Sequence, residues 1–336
     1  MTYSNQIKVS GMRVLITGAT GFLGGALARA LVQSGAKVHV LARPTSDRRA
    51  LDGVDINWHE GDVTVPMSLN SAFGDVTWII HAAGRLGEAG VPEDVYRKSN
   101  VDGTRNVLAA ALATGHRPRV LYLSSPGVLG PTTTEPRAED APYAPSNAYE
   151  RSKAAAEQVA CEFAERGLPV IIARPGFIYG PGDRHVLGLF RAVRRGLFFY
   201  IDGGRHLCQP TYIDDAVRGM LACLSRGRPG ESYHITGPSP VTFRELGDTV
   251  AAAIGVPPPR LSLPQWSAAV AAFGLEALGR VTGWTPPLTR TGVAFFGEHR
   301  VFSWQKAHEH LGYTPRYDLR RGVDLTVAWY RQQEWL

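Results

Sequence analysis

The stretch Gly18-Ala19-Thr20-Gly21-Phe22-Leu23-Gly24 follows directly after the apolar run Val14-Leu15-Ile16. Its glycines are spaced G-x-x-G-x-x-G, and an apolar run with helical spacing comes next, over 26–32. Glycine permits a tight turn and lets backbone amides approach a pyrophosphate, because no Cβ stands in the way. A helix that begins there points its free N–H groups and its positive dipole end at the same anion. The sequence therefore predicts a strand–turn–helix unit with a dinucleotide site at the turn.

The rest of the first half alternates short apolar runs with helical stretches. Strands are predicted at Val14–Ile16, Lys37–Leu41, Ile56–His59, Val76–His81, Arg119–Leu123 and Val170–Ala173. Helices are predicted at Gly24–Gln33, Val65–Phe73 and Tyr96–Ala113, and another from near Ala148. Such alternation predicts a parallel sheet covered by helices on both faces, with its ligand crevice at the carboxyl ends of the strands. We therefore expect an α/β fold, a doubly wound Rossmann sheet with a smaller C-terminal α/β subdomain.

Proline and glycine interrupt the sequence more often after Pro175 than before it. The predicted domains are a dinucleotide-binding domain at 1–175 and a substrate-binding subdomain made of 176–207 and 239–336. Residues 208–238 are expected to return to the first domain, with a strand at Tyr233–Thr236 joining the first sheet. Further helices are predicted at Val186–Arg195, Asp214–Arg226 and Thr242–Ile254.

Composition narrows the functional class. A net charge of +6 over 336 residues suits anionic ligands and is compatible with weak association with an acidic lipid surface. The arginines are scattered rather than clustered on one face, which argues against nucleic-acid binding. Three cysteines can form no disulfide framework, and none has the spacing of a metal ligand, so no metal is expected. The N-terminal residues show no export-signal pattern, and the predicted location is the reducing cytoplasm.

A second pattern, Tyr149-Glu150-Arg151-Ser152-Lys153, opens the helix expected near Ala148. Residues four apart lie on one face of a helix, so the phenol and the ammonium can share a site. An unperturbed tyrosine titrates near pH ~10. A neighbouring cation favours the phenolate, so Lys153 is expected to lower the pKa of Tyr149 and to fit it for proton transfer. Upstream, Ser124-Ser125 ends a predicted strand, where a hydroxyl can hydrogen-bond a substrate oxygen.

These motifs together resemble the extended short-chain dehydrogenase/reductases, the epimerase/dehydratase-like family. The resemblance runs over nearly the whole chain and is carried by nine segments: Thr17–Gly24, Gly61–Val63, His81–Gly84, Asn100–Thr104, Ser124–Gly130, Tyr149–Lys153, Arg174–Gly182, Tyr212–Asp215 and Leu311–Pro315.

The resemblance implies a role for each position. Ser125, Tyr149 and Lys153 would form the catalytic triad, Ser125 being chosen because it lies five residues before Gly130, the closing glycine of its motif. The implied cofactor-binding residues are Gly18, Thr20, Gly21, Phe22, Leu23, Gly24, Arg43, Asp62, Val63, Ala82, Ala83, Gly84, Asn100, Tyr149, Lys153 and Pro175. The family also implies a homodimer, built through the helices at Tyr96 and Tyr149.

The second strand indicates which dinucleotide is bound. Members that prefer NAD place an acid at the end of this strand to hold the ribose diol. Here the strand runs into Ala42-Arg43-Pro44, without an acid. Arg43, with Arg48 or Arg49 nearby, could pair with a 2′-phosphate, which favours NADP. An arginine stacked on the adenine would also suit NAD, which remains the alternative.

Three reactions are weighed against the sequence. Dehydratases of the family carry an Asp-Glu pair where this chain has Pro126 and Gly127, so dehydration is disfavoured. Sugar-nucleotide epimerases usually place an arginine where Cys208 stands, and a thiol cannot replace a guanidinium fork. Their later R-x-G-D segment is also missing, Pro286–Arg290 standing in its place.

The remaining reaction is the interconversion of an alcohol and a ketone. The apolar stretch with Trp266, Phe273, Leu275 and Leu278 suggests a hydrophobic substrate cover. Pro286–Arg290, with the later Lys306 and Leu311-Gly312-Tyr313, resembles the 3β-hydroxysteroid dehydrogenase-like and dihydroflavonol reductase-like branches. The expected substrate is therefore an apolar ketone or alcohol of sterol, lipid or polyketide type. A nucleotide-sugar epimerase with an anion held by Arg184 or Arg205 is the runner-up, and a non-catalytic NADP-binding regulator is a third reading.

Overall fold

The computed structural model describes residues 9–88, 90–284, 286 and 288–336. Seven strands form the main sheet: β1 Arg13–Thr17, β2 Lys37–Ala42, β3 Ile56–Glu60, β4 Trp78–His81, β5 Arg119–Leu123, β6 Val170–Pro175 and β11 Ser232–Ile235. Their order is β11-β6-β5-β4-β1-β2-β3 and every neighbouring pair is parallel. The doubly wound α/β fold predicted from the alternating pattern is thus confirmed.

Eleven α-helices are found among the described residues. They are α1 Phe22–Gln33, α2 Glu93–Tyr96, α3 Gly103–Ala113, α4 Ala148–Glu165, α5 Leu187–Arg194, α6 Ile213–Arg226, α7 Phe243–Ile254, α8 Gln265–Thr282, α9 Arg290–Phe296, α10 Gln305–Leu311 and α11 Leu319–Gln332. None of these helices is long and apolar enough to span a bilayer.

Apolar side chains cover the sheet on both faces. On one face, Leu27 and Leu31 of α1 share a buried cluster with Met220 and Leu221 of α6. On the other, side chains of α3 and α4 pack against the sheet in a second cluster that contains Phe163. Because strands buried on both faces must be apolar throughout, β1 and β5 read as continuous hydrophobic runs.

The later part of the chain adds short strands and helices beside this sheet. Six short strands pair two by two: β7 Phe177–Tyr179 with β10 Pro210–Tyr212, β9 Leu207–Cys208 with β12 Val241–Thr242, and β8 Tyr200–Ile201 with β13 Ser262–Leu263. Strand β11 lies beside β6, with Tyr233 opposite Ala173, so this part of the chain lies in the main sheet. The domain boundaries themselves remain a prediction.

Two predicted helices differ from those observed. Over 65–73 the chain forms two separate 3₁₀ turns, Pro66–Ser68 and Asn70–Ala72. The Ser68 hydroxyl accepts a hydrogen bond from the amide of Asp62 and donates to a backbone carbonyl, and such local bonds compete with an α-helix. The helix expected from Tyr96 begins earlier, at Glu93, and passes through a π-helical segment at Arg97–Asp102 before α3.

Two parts of the expectations fall outside the described residues. The export-signal reading concerns residues 1–8, and the Pro286–Arg290 segment includes Pro287.

Candidate active site

The glycine turn after β1 is held against the loop after β4. Gly18 has φ +75°, a left-handed conformation that favours glycine, and a Cβ there would lie 2.5 Å from the amide nitrogen of Ala83. A Cβ on Gly24 would overlap the carbonyl oxygen of Gly18. The Thr17 hydroxyl accepts the amide of Ala83 at 3.2 Å. The approach of the loop after β4 therefore requires glycine at position 18, and the tight turn itself requires glycine at position 24.

The first turn of α1 is open to an anion. Gly21 is its N-cap, with no side-chain cap, and the first turn contains no acidic residue. The amides of Phe22, Leu23 and Gly24, at the first three helical positions, have no partner within the helix. With the glycine turn, they form a cradle for a pyrophosphate, and the residues present fit a dinucleotide.

Three residues predicted to contact the adenosine half of the dinucleotide follow strands β2 and β3: Arg43, Asp62 and Val63. Arg43 is exposed, and within the described chain its guanidinium has neither a hydrogen bond nor an ion pair. Its expected helpers are engaged elsewhere, since Arg48 lies over the Trp58 ring and Arg49 pairs with Asp47.

Asp62 and Val63 follow β3. The Asp62 carboxylate accepts the amide and the hydroxyl of Thr64, at 2.8 and 2.9 Å. The Val63 carbonyl accepts from the side chain of Asn106 at 2.9 Å. Local bonds thus fix the shape of this loop.

Asn100 joins the loop after β4 to the helix that carries the tyrosine. Its Oδ1 accepts the amide of Arg85 at 2.7 Å, and its Nδ2 donates to the Arg85 carbonyl and, at 2.9 Å, to the Ser152 hydroxyl. A Cβ on Gly84 would lie 3.0 Å from the same Oδ1. Buried in the π-helical segment, Asn100 holds the Ala82–Gly84 loop and α4 in fixed relation.

Tyr149 lies in the first turn of α4. The helix begins at Ala148 because the Asn147 side chain caps it, accepting the amide of Glu150 at 3.0 Å. The phenol ring lies against Gly87 and the ring of Tyr96, and the side chain is half-buried. The Ser125 hydroxyl, which accepts the amide of Gly127 at 3.2 Å, lies near enough to Tyr149 to lower the pKa of its phenol. The structure therefore brings two members of the predicted triad together.

The expected effect of Lys153 on Tyr149 is not found. Burial raises the pKa of Tyr149 to about 12, and the neighbouring Ser125 side chain is the main opposing influence. The Lys153 ammonium donates to the carbonyl of Leu123 at 2.6 Å and lies 4.6 Å from the centre of the Tyr122 ring. The prediction was wrong because a shared helix face does not fix where a long side chain ends. Burial also lowers the pKa of Lys153 to about 8, against the opposing charge of Glu157.

Pro175 ends β6 and lies in register with Ile235 of β11. Ser125, Pro175 and the glycine turn all follow carboxyl ends of parallel strands, which meet at one edge of a sheet. The predicted cofactor and catalytic residues are thus arranged along a single crevice edge.

One contact beside the tyrosine escapes sequence reasoning. Arg300 donates to the Glu150 carboxylate at 2.6 Å, and both side chains are largely buried. Glu150 also accepts the amide and hydroxyl of Ser146, at 2.7 and 2.8 Å, and a Cβ on Gly127 would lie 3.0 Å from its Oε1. No local pattern connects residues 150 positions apart in sequence, so only the fold reveals the pair.

Comparisons with known proteins agree with this geometry. Residues 14–236 match the model of the NAD dependent epimerase/dehydratase family. The chain is 30% identical over 319 residues to the 4-hydroxy-2-methyl-3-oxo-4-farnesyl-3,4-dihydroquinoline-1-oxide ketoreductase of Stigmatella aurantiaca, covering 93% of this chain and 95% of that one. It is also 30% identical to the decarboxylating sterol-4-alpha-carboxylate 3-dehydrogenase of Saccharomyces cerevisiae, over 94% of this chain and 97% of the relative.

A solved structure shares the architecture. The dTDP-glucose 4,6-dehydratase DesIV from Streptomyces venezuelae, with NAD and TYD bound, has a TM-score of 0.79 and 26% identity, covering 96% of this chain and 98% of that one. Fold, site and relatives lead to one assignment. The chain belongs to the NAD-dependent epimerase/dehydratase family and is an NAD(P)-dependent enzyme of the extended short-chain dehydrogenase/reductase type, in the 3β-hydroxysteroid dehydrogenase-like branch.

Proposed function

We propose that this enzyme interconverts a secondary alcohol and a ketone on an apolar substrate, with NADP as its cofactor. The observation that carries the proposal is the half-buried phenol of Tyr149, which lies beside Ser125 at the carboxyl edge of the sheet. The ketoreductase and the sterol dehydrogenase among its relatives support the same class of reaction.

The chain's own groups handle the proton and the position of the substrate. When bound, the nicotinamide supplies or accepts the hydride. In the reducing direction Tyr149 gives its phenolic proton to the substrate oxygen, and Ser125 donates a hydrogen bond to that oxygen. With a pKa raised to about 12, Tyr149 stays protonated at neutral pH, the state a proton donor requires. Lys153 and the amides of the glycine turn hold the cofactor, and Pro175 lies beside its nicotinamide half.

The preference for NADP rests on Arg43. Arg43 directly follows β2, and its exposed guanidinium is not engaged by another described residue. At this position an acidic residue would repel a 2′-phosphate, whereas a guanidinium can pair with it. We expect NADP to raise the Tm of the protein more than NAD does. Arg43→Gln should remove most of that difference and leave the response to NAD unchanged. Equal stabilisation of the wild type by both dinucleotides would refute the assignment.

A substrate panel separates the candidate reactions. Hydroxysteroids and 2-alkyl-3-oxoacyl compounds should change the nicotinamide absorbance, whereas UDP- and dTDP-sugars should be neither oxidised nor epimerised. Epimerisation leaves that absorbance unchanged, so sugar products are followed by chromatography. Turnover of a sugar nucleotide alone would contradict the proposal.

Nucleotide-sugar epimerisation is the second candidate. The likeness to the dTDP-glucose 4,6-dehydratase structure supports a nucleotide sugar as the substrate, though not epimerisation itself, and the exposed Arg205 could hold a diphosphate. Against it, Cys208 lies buried in β9, in register with Val241 of β12, and presents no cation.

Two further expectations remain part of the proposal. We propose a homodimer built through the α3 and α4 surfaces, tested by sedimentation equilibrium, and a cytoplasmic location, tested by cell fractionation.

A further inference from the structure

Helix α8 presents its large apolar side chains outward. Trp266, Val270 and Phe273, spaced by four and three residues, are 74%, 67% and 58% exposed. Its inner face carries the small residues Ala268 and Ala272, fully buried against Ile201 and Val293. A helix that only covers a core places large residues inside and polar ones outside. The inverted arrangement of α8 leaves an apolar face on the surface.

Neighbouring segments extend this face. Leu197 and Leu261 are 69% and 60% exposed, and they belong to adjoining segments, because Tyr200, three residues after Leu197, donates its amide to the carbonyl of Leu261 at 2.9 Å. Leu278 and Trp284 continue it at the other end of α8. We call these seven residues the α8 face: Leu197, Leu261, Trp266, Val270, Phe273, Leu278 and Trp284. Exposed apolar surface of this extent marks an interaction site more often than an ordinary monomer surface.

Exposed arginines border one end of the α8 face. Arg194, Arg195 and Arg260 are exposed next to Leu197 and Leu261. Arg290 lies 5.5 Å from the centre of the Phe273 ring. Glu276 is the one acid in the sequence between 256 and 284, and its carboxylate pairs with Arg290 at 2.8 Å. An apolar surface bordered by arginines complements a bilayer that carries anionic lipids.

The helix is held firmly in this orientation. The amide of Gln265, its first residue, donates to the Asp202 side chain at 2.9 Å. The α9 residue Val293 supports its inner face from below. The apolar side chains are therefore presented by a fixed element of the fold and need no rearrangement to meet a partner.

We propose that the α8 face docks the protein on the surface of an anionic lipid bilayer, with tryptophan side chains in the interfacial region. Tryptophan suits that region because its ring is apolar and its N–H can stay hydrated. A two-fold dimer through the same face would bring the arginine border against itself, and like charges oppose such pairing. Trp266, Phe273 and Leu278, which the sequence suggested as a hydrophobic substrate cover, are exposed on the surface here. The inference concerns that surface and does not depend on the reaction proposed above.

The test uses the full chain and vesicles of phosphatidylcholine with one quarter phosphatidylglycerol. The wild type should co-sediment with these vesicles, and its tryptophan fluorescence should be quenched by brominated phosphatidylcholine. Trp266→Ser with Phe273→Ser should lower the partition coefficient about tenfold or more. Arg194→Gln with Arg195→Gln and Arg260→Gln should weaken binding to these vesicles and reduce its sensitivity to salt. The matched control is Met67→Ser, which removes an 80% exposed apolar side chain outside the α8 face and should bind as the wild type does.

Three results would overturn the proposal. They are no vesicle binding by the wild type, equal loss of binding in Met67→Ser, or self-association through the α8 face without vesicle binding. The rise in Tm with NADP, measured on the same samples, tests the dinucleotide site separately. Vesicle binding without that rise would refute the proposed function alone, and the reverse result would refute the docking surface alone.

Discussion

The protonation state of Tyr149 is set by the residues packed around it. It is partly buried and packs against the Tyr96 ring, and burial raises its pKa to about 12, so that its hydroxyl stays protonated at neutral pH although Ser125 opposes this shift. Proton transfer by a positioned side chain contributes about 10²–10⁴-fold to a rate.

Tyr149→Phe should therefore lower ketone reduction by about 10²–10⁴-fold while leaving cofactor affinity nearly unchanged. Steady-state kinetics and fluorescence titration with NADPH measure the two effects. Tyr143→Phe is the matched control, since Tyr143 bonds to Glu157 and is partly exposed. Full turnover in Tyr149→Phe would rule out its role as the proton donor.

Lys153 gives a stability prediction with a defined pH window. Burial lowers its pKa from 10.5 to about 8 in the folded chain. Between pH 8 and pH 10.5 Lys153 is more often protonated in the unfolded chain than in the folded one, so the stability of the fold rises with pH. The free-energy cost of burying the lysine is therefore greatest below pH 8 and disappears as the pH rises toward 10.5. The shift corresponds to about 3 kcal/mol.

Lys153→Met lacks the buried charge, so its advantage in free energy of unfolding over the wild type should be largest near neutral pH. That advantage should shrink by about 3 kcal/mol as the pH rises to 10.5. Urea unfolding at a series of pH values measures this difference. The exposed Lys37→Met supplies the control and should show no such trend. A pH-independent difference for Lys153→Met would contradict the assigned environment.

At the scale of elements, the turn between β1 and α1 has the tightest steric requirements. Gly18 combines a left-handed backbone with a close approach to Ala83, and both conditions exclude a side chain. The turn thereby fixes the start of α1, whose amides face the proposed pyrophosphate site.

Gly18→Ala should lower the free energy of unfolding by about 2 kcal/mol or more and weaken NADP binding. Thermal unfolding with and without NADP measures both effects. Gly188→Ala, in α5 with nothing within 4 Å of the added Cβ, should instead stabilise the protein by about 0.4–1 kcal/mol. A Gly18→Ala protein as stable as the wild type, with unaltered NADP binding, would count against the tight turn.

Across the whole molecule, Arg300 links the C-terminal part of the chain to the start of the catalytic helix. Its amide donates to Leu207 at 2.8 Å while its guanidinium meets Glu150 and Glu298. Glu150 is one of the charges that raise the pKa of Tyr149. The ion pair therefore partly shields the phenol from that carboxylate.

Arg300→Met leaves the Glu150 charge buried without its guanidinium and should cost about 3–5 kcal/mol of stability. Adding Glu150→Gln should restore part of the loss, and a double-mutant cycle measures the coupling. The exposed pair Arg320 and Asp324 is the control, where Arg320→Met should change stability by less than about 1 kcal/mol. Arg300→Met should also move the alkaline limb of the pH–rate profile upward. Purely additive effects in the cycle would refute the coupling.

Features that repeat within one element could be predicted from the order of residues. Strand–helix alternation fixed the parallel sheet, the glycine spacing fixed the turn after β1, and helical spacing placed Tyr149 and Lys153 on the same helix. Even at that scale 65–73 did not form a helix, because side-chain bonds to the backbone competed there.

Three features emerge only once the chain is folded: the position of the Lys153 ammonium, the carboxylate that Arg300 meets, and the exposure of Trp266 on α8. Backbone periodicity is a local property, set by neighbouring residues along the chain. The end of a long side chain, an ion pair between distant segments and the exposed face of a helix depend on what packs beside them, which the fold alone supplies.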